Sequence, residues 1–295
     1  MANPAPPVHQ VRGDLIDIGG RRLRAVRAGI ANPGPLVVFE CGAFGCAADW
    51  AAVQDRLVAS NIRSLAYDRA GLGYSDIGDE PRDGYALVSD LESLLLRLGE
   101  RDPVVLVGHS MAGILAPIFV ARNQARVVGL VLVDAMVPGA VDVPSVARMI
   151  NGYRRAMGLV GRWSGLGFMG PVAAIAGNLI GLEGEAANET RRIYGMARHA
   201  KGASKEVHQW FATSEQAKSL GGFDPELPIA AITAGATRLP IHLKALQHTP
   251  ARNSRRGYVV DVRGANHANL LGVRFSIAIV AGIQHVLDQS YPGSV

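Results

Sequence analysis

Residues 104–113 read Val-Val-Leu-Val-Gly-His-Ser-Met-Ala-Gly, and this stretch decides the fold. Its first four residues predict a buried strand, and Met111–Asn123 has a helical pattern. Ser110 lies at the turn between them, where a strained backbone requires small residues two positions before and two positions after. Gly108 and Ala112 meet that requirement. We therefore predict that Ser110 is a nucleophile at a helix N-terminus, where free N–H groups favour developing negative charge.

Apolar strand patterns alternate with helical patterns along most of the chain. The predicted strands are short runs of apolar or β-branched residues: Leu15–Ile18, Leu23–Arg27, Leu36–Glu40, Ser64–Asp68, Val104–Val107, Gly129–Asp134, Ile229–Ala234 and Tyr258–Val262. The predicted helices between them are Ala47–Ser60, Tyr85–Leu98, Met111–Asn123, Leu239–Gln247 and Val273–Asp288. Short apolar strands of this kind are typically buried on both faces of a parallel sheet. Their alternation with helices predicts a doubly wound α/β fold.

The alternation stops between Met136 and Glu226, where only helical patterns occur. Those patterns cover Ser145–Met157, Gly170–Ile180, Ala186–Ala200 and Lys205–Lys218. A connection of this length is too long for a simple crossover between strands. We therefore predict a sheet core formed by residues 1–135 and 227–295, with residues 136–226 inserted as a helical subdomain.

The composition excludes several classes of protein. Hydrophobic residues make up 48% and charged residues 19% of the 295 residues, which is typical of a globular chain. The net charge of +5 is scattered without a basic arm, so we expect no nucleic-acid partner. Two cysteines, Cys41 and Cys46, are too few for a disulfide framework. Because no zinc-type cluster, phosphate loop or dinucleotide fingerprint occurs, we expect neither a metal nor a cofactor.

The sequence also bears on location. The first ten residues, MANPAPPVHQ, have neither a basic nor an apolar region, so we expect no signal peptide and a cytoplasmic protein. Gly158–Leu182 is apolar apart from Arg162, but its seven glycines argue against one uniform spanning helix. We expect no integral membrane span. Whether the inserted subdomain forms a homodimer is left open.

Three stretches resemble the α/β-hydrolase family. The first is G-x-S-x-A around Ser110, where the family usually has G-x-S-x-G. The second, residues 67–75 (YDRAGLGYS), is similar to the family's D-R-x-G-x-G-x-S loop, which is mainly structural. The third, residues 36–45 (LVVFECGAFG), occupies the position of the H-G-x-P-G oxyanion loop, with Cys41 and Phe44 replacing His and Pro. The resemblance implies an eight-stranded, mostly parallel sheet with an inserted helical lid.

The resemblance also assigns the oxyanion hole and the general base. The oxyanion donors by position are the backbone N–H groups of Ala43 and Met111. The catalytic histidine of the family follows the last strand, usually as G-x-G-H, and here Gly-Ala-Asn-His ends at His267. His109 adjoins the nucleophile, but its side chain is expected to point away from Ser110.

The acid of the triad is harder to assign from the sequence. The family usually takes it from the loop after the seventh strand, where this chain has Arg238 in the expected position. Some branches place the acid at the end of the sixth strand, which here ends at Asp134. The sheet brings both strand ends to one carboxyl edge, so His267 is predicted to reach Asp134. Asp224, Glu226 or no acid at all are the alternatives.

These residues predict a serine hydrolase that cleaves a carboxylic ester through an acyl-enzyme on Ser110. Apolar residues of the insert, among them Met149, Met157 and Trp163, favour a small hydrophobic ester-like substrate if they line the site. They equally fit packing of the lid on the core. Amide, lactone or carbon–carbon bond hydrolysis requires the same triad. A second class also stays open, a slow or non-catalytic ligand-binding protein, because Arg238 replaces the usual acid.

Overall fold

The computed structural model of the chain describes residues 11–30, 34–164, 169–236 and 240–290. Within these ranges, helices flank a single sheet of eight strands. The strands are β1 (Asp14–Asp17), β2 (Arg22–Ala28), β3 (Leu36–Glu40), β4 (Ser64–Tyr67), β5 (Val104–His109), β6 (Val127–Val133), β7 (Ile229–Ala234) and β8 (Gly257–Val262).

The helices of the described ranges lie between the strands and within one long insertion. Those of the sheet layers are α1 (Ala51–Ala59), α2 (Gly84–Arg97), α3 (Ala112–Arg122), α9 (Ile241–Asn253) and α10 (Ser276–Ser290). Those between β6 and β7 are α4 (Pro144–Trp163), α5 (Met169–Ile180), α6 (Gly184–Tyr194), α7 (Ala197–His208) and α8 (Trp210–Lys218).

The strand order is β1-β2-β4-β3-β5-β6-β7-β8. Strand β2 runs antiparallel to both of its neighbours, while the pairs from β4 to β8 are all parallel. The predicted eight-stranded, mostly parallel sheet is therefore confirmed. A parallel arrangement places the carboxyl ends of β3 and β5–β8 at one edge, and the loops that leave those ends can share one site.

Burial explains why the central strands are continuous apolar runs. All residues of β3, β5 and β7 are buried. Successive side chains point to opposite faces, so Val37 and Phe39 belong to one core layer while Leu36 and Val38 belong to the other. Because both faces are covered, neither face of these strands needs polar side chains.

The helices of the insertion differ from their predicted bounds at three places. One is the helix predicted for Lys205–Lys218, which is divided at Gln209 between α7 and α8. Helix α4 continues to Trp163 instead of ending at Met157. The helix predicted for Ala186–Ala200 is divided, because Met196 adopts an extended backbone after α6 and α7 then runs unbroken to His208. The glycine in α7, Gly202, does not break the helix. It lies where the helix backbone contacts the loop after β4, and a Cβ atom there would be 2.3 Å from the carbonyl oxygen of Gly71.

Buried ion pairs join the insertion to the sheet. Glu189 of α6 pairs with Arg24 of β2, and Glu206 of α7 pairs with Arg69 after β4 at 2.7 Å. All four side chains are at most 3% exposed. A charge buried this deeply is costly without its partner, so these pairs specify how the insertion docks.

Across the described ranges, no helix combines the length and the apolar character that crossing a membrane requires.

The contact at Gly202 yields a stability prediction with an internal control. Gly202→Ala should lower the free energy of unfolding by about 1–3 kcal/mol, because the added methyl group collides with the Gly71 backbone. Gly152→Ala, in α4, adds a methyl group with no atom within 4 Å and should raise it by about 0.5–1 kcal/mol. Urea unfolding of both variants measures the difference. An equal gain in both would show that α7 does not approach the loop this closely.

Candidate active site

Ser110 occupies the turn between β5 and α3 with a backbone φ of 56°, in the left-handed region that non-glycine residues rarely adopt. Its N–H donates to the carbonyl oxygen of Val133 at 3.1 Å. Its own carbonyl oxygen accepts from the N–H groups of Gly113 at 3.1 Å and Met136 at 2.9 Å. The strained turn is thus held by the chain that leaves β6.

The side chains beside Ser110 are small because the backbone packs closely there. A Cβ atom on Gly108 would lie 3.2 Å from the Cβ atom of Ala112, so a second methyl group in this pair would require a shift of a few tenths of an ångström. A Cβ atom on Gly113 would lie 2.1 Å from the carbonyl oxygen of Met136. Of positions 112 and 113, only position 113 therefore requires glycine. This explains why alanine is tolerated at position 112.

The structure brings Ser110, His267 and Asp134 together. Nε2 of His267 lies 2.9 Å from Oγ of Ser110, and Nδ1 of His267 lies 2.5 Å from Oδ2 of Asp134. With the Nδ1 proton donated to the carboxylate, Nε2 is free to accept the hydroxyl proton of Ser110. This is the geometry that a nucleophile, a base and an orienting acid require.

Asp134 is held rigidly at the end of β6. Its backbone φ is 41°, and its N–H donates to the carbonyl oxygen of Ile232 at 2.7 Å. Oδ1 accepts a hydrogen bond from the Ala234 N–H at 3.2 Å, and Nε2 of Gln247 lies 3.5 Å away. Burial opposes ionisation, but the hydrogen bond from His267 and its charge lower the pKa of Asp134 below its ordinary value. The carboxylate therefore stays charged at neutral pH.

His109 supports the loop that carries His267. Its Nε2–H donates to the His267 carbonyl oxygen at 3.1 Å, and the two ring centroids are 4.6 Å apart. Burial, followed by the charge of His267, lowers the pKa of His109 to about 3. The ring is therefore neutral and serves as a hydrogen-bond donor to the backbone.

The backbone N–H groups of Ala43 and Met111 have no protein acceptor within the described ranges. Gly42 lets the loop that carries Ala43 approach Ser110, since a Cβ atom there would lie 3.0 Å from Cβ of Ser110. Arg69 holds the same loop by donating to the carbonyl oxygens of Cys41 at 2.6 Å and Gly42 at 2.9 Å.

Arg69 contacts the site, and the sequence did not predict this contact. Its guanidinium pairs with Glu40 at 2.6 Å and with Glu206 of α7 at 2.7 Å. Burial alone would lower its pKa, but these two carboxylates raise it well above its ordinary value. The available signal was Glu40, a charged residue that ends an otherwise apolar strand directly beside β4.

Asp49 provides a second connection between the insertion and this loop. Its carboxylate accepts from the Cys46 N–H at 2.9 Å and from the Tyr194 hydroxyl at 2.9 Å, and Oγ1 of Thr190 lies 3.3 Å away. Burial raises the pKa of Asp49 to about 6. Helix α6 therefore contacts the turn that follows the Ala43 loop.

A cavity of about 570 Å³ opens over Ser110 and His267. Ala43 lines it, together with mainly apolar side chains of α4, α8 and α9. Met149 of α4 lines the cavity, whereas Met157 is buried against α7. Met149 thus meets the expectation of a residue that lines the site, whereas Met157 packs between helices of the insert.

The two alternative acids lie away from His267. Asp224 and Glu226 are exposed and precede β7, so they lie at the amino edge of the sheet. Glu226 pairs there with Arg255 at 2.5 Å. Arg238 falls outside the described residues. In the ranges that the structure does describe, no group of three or more His, Cys, Asp or Glu side chains is arranged to hold a metal ion.

The family model described as "Alpha/beta hydrolase family" matches residues 37–271. This match covers most of the chain, from β3 to the segment after His267. The chain therefore belongs to the alpha/beta hydrolase family, and its fold is of the hydrolase type.

Solved structures and a curated relative extend the comparison. A thermophilic esterase from Thermogutta terrifontis is 20% identical, with 94% of this chain and 100% of that chain covered and a TM-score of 0.69. An epoxide hydrolase from Vigna radiata is 18% identical, with 90% and 95% covered and a TM-score of 0.71. These likenesses show the fold. The "Probable transporter efuK" of Hormonema carpetanum is 36% identical over 138 residues, 45% of this chain, and the chain spans only 20% of that relative's length.

Replacing Asp134 with Asn tests its role as the acid. The variant keeps the size of the side chain but removes the charge that stabilises the imidazolium and selects its tautomer. We expect kcat to fall by about 10⁴ with any ester that the wild type turns over. Asp224→Asn is the matched control and should leave kcat unchanged. Unaltered turnover in Asp134→Asn would exclude Asp134 as the acid.

Proposed function

We propose that the protein is a serine hydrolase that cleaves carboxylic esters with an apolar acyl or alcohol group. The observation that carries this proposal is the hydrogen-bonded series from Ser110 through His267 to Asp134, which borders a mainly apolar cavity. A buried carboxylate, an imidazole and a hydroxyl in this order form a system that activates serine.

In the proposed mechanism, His267 accepts the Ser110 proton as Oγ attacks the acyl carbonyl carbon. The negative charge that develops on the carbonyl oxygen is stabilised by the N–H groups of Ala43 and Met111. Loss of one such donor typically lowers turnover by about 10²–10³. His267 then protonates the leaving alcohol. Water, deprotonated by His267, attacks the acyl-enzyme and releases the acid, which restores the Ser110 hydroxyl.

The cavity supports the proposed apolar substrate. Its walls include Val146, Ile150 and Leu243, which favour an apolar group over a charged one. We propose that residues 136–226 act as a lid, since α4, the segment before it and Trp210 of α8 supply much of this wall. Amide, lactone and carbon–carbon substrates use the same triad, and esters are favoured because they are the least demanding acyl substrates.

Two other reactions and a binding role are less well supported. In the resemblance to this family, epoxide hydrolases and dehalogenases use Asp as nucleophile, whereas this chain has Ser110. A non-catalytic binding protein was suggested by Arg238 in the usual position of the acid. Asp134, 2.5 Å from His267, supplies an acid from another strand and weakens that argument.

A fluorophosphonate probe tests the proposal directly. We expect stoichiometric covalent labelling of the wild type, visible as a mass increase of the intact protein, because His267 activates the Ser110 hydroxyl. Ser110→Ala should remain unlabelled. Ser145→Ala is the matched control: Ser145 also lines the cavity but has no histidine partner within the described ranges, so labelling should persist. Folded wild type that remains unlabelled by a small probe would contradict the proposal and favour a binding protein.

A further inference from the structure

The outward face of α4 is basic. The helix contains four arginines and no acidic residue in 20 positions. Arg148, Arg155 and Arg162 are exposed, and none of the three forms an ion pair within the described ranges. The fourth, Arg154, instead lies over the ring of Phe211. In the part of the chain that the structure describes, the three exposed guanidinium groups therefore have no carboxylate partner.

These arginines form a single stripe. They are seven residues apart, and at about 100° per residue their positions fall within about 40° of one another around the helix. From Arg148 to Arg162 the stripe is about 21 Å long. A straight row of this kind presents its charge to a flat surface.

An apolar strip lies beside the arginines. Leu159, Trp163 and Met149 are 58%, 53% and 55% exposed. By the same helical geometry they occupy the next 100° or so around α4, on one side of the arginine stripe. Large apolar side chains are seldom left this exposed in a row without a partner.

The apolar strip continues into the cavity. Met149 is both exposed and part of the cavity wall. The next residues around the helix, Val146 and Ile150, are buried and line the cavity as well. Around the circumference of α4, the arginine stripe is therefore followed by exposed apolar side chains and then by the side chains that line the cavity above Ser110.

We propose that this face of α4 docks on the surface of an anionic phospholipid bilayer. Arginines would contact lipid phosphates while Leu159 and Trp163 enter the boundary between headgroups and acyl chains. A nucleic acid would match the charge but leave Leu159 and Met149 unaccompanied by apolar contacts. Docking does not depend on the proposed reaction. The corollary, which does rest on it, is that apolar esters pass from the bilayer into the cavity beside Met149.

Vesicle sedimentation with the full chain tests the docking. The Ser110→Ala protein should sediment with vesicles that contain phosphatidylglycerol and not with pure phosphatidylcholine. Combined substitution of Arg148→Glu, Arg155→Glu and Arg162→Glu should lower the partition coefficient about a hundredfold or more. Raised salt should weaken binding of the parent protein. The triple variant built on the wild-type chain should still hydrolyse a short soluble ester at the wild-type rate, which separates this test from that of the proposed function.

A matched control makes the same change in net charge, by three Arg→Glu substitutions, at the amino edge of the sheet. Arg97 and Arg252 lie in the last turns of α2 and α9, and Arg101 precedes β5; all three are exposed. Their combined replacement by Glu should leave vesicle binding within about threefold of the parent. An equal loss in both triple variants would show a general charge effect and would overturn the proposal.

Tryptophan fluorescence supplies an independent readout. Trp50 and Trp210 are 0% and 5% exposed, whereas Trp163 is 53% exposed. Phosphatidylglycerol vesicles should therefore shift the emission to shorter wavelength in the parent but not in Trp163→Phe. Equal binding to neutral vesicles, an unchanged spectrum, or retention by duplex DNA in place of vesicles would each contradict the docking of α4 on lipid.

Discussion

The backbone of Ser110 is the constraint on which the site depends. Its left-handed conformation turns the chain directly from β5 into α3, and hydrogen bonds to Val133 and Met136 hold the turn against the end of β6. The same strand end continues into Asp134, so the proposed nucleophile and the proposed acid are fixed by one pair of adjacent strands. Glycine at 113 is needed because the chain that leaves β6 passes so close.

The insertion is coupled to this site through buried charge. Arg69 links Glu206 of the insertion to the carbonyl oxygens of Cys41 and Gly42, and Asp49 links α6 to the following turn. The backbone that carries the Ala43 N–H group is thus held between the sheet and the helices of the insertion. Because an unpaired buried charge is costly, movement of the insertion and the shape of this loop are energetically connected.

Local sequence patterns predicted most of the strands of the sheet and the three proposed catalytic residues. The Ser110 turn depends on adjacent residues. Asp134 directly follows β6 and His267 lies in the loop after β8, so the family resemblance and the parallel sheet together predict that they meet at one edge. Contacts between residues that are far apart in the chain produce no local pattern in the sequence. The pairing of Arg69 with Glu206 joins residues 137 positions apart, and the close approach of Gly202 in α7 to Gly71 joins residues from different parts of the fold. The docking of the insertion could therefore not be predicted.

The central claim is that ester cleavage passes through an acyl group on Ser110. The most direct measurement is rapid acid quenching of the protein during turnover of p-nitrophenyl butyrate, followed by mass spectrometry of the intact chain and its peptides. The account predicts a burst of p-nitrophenol and one butyryl group on the peptide that contains Ser110. Turnover with the butyryl group on another residue, or sustained turnover by Ser110→Ala, would contradict it.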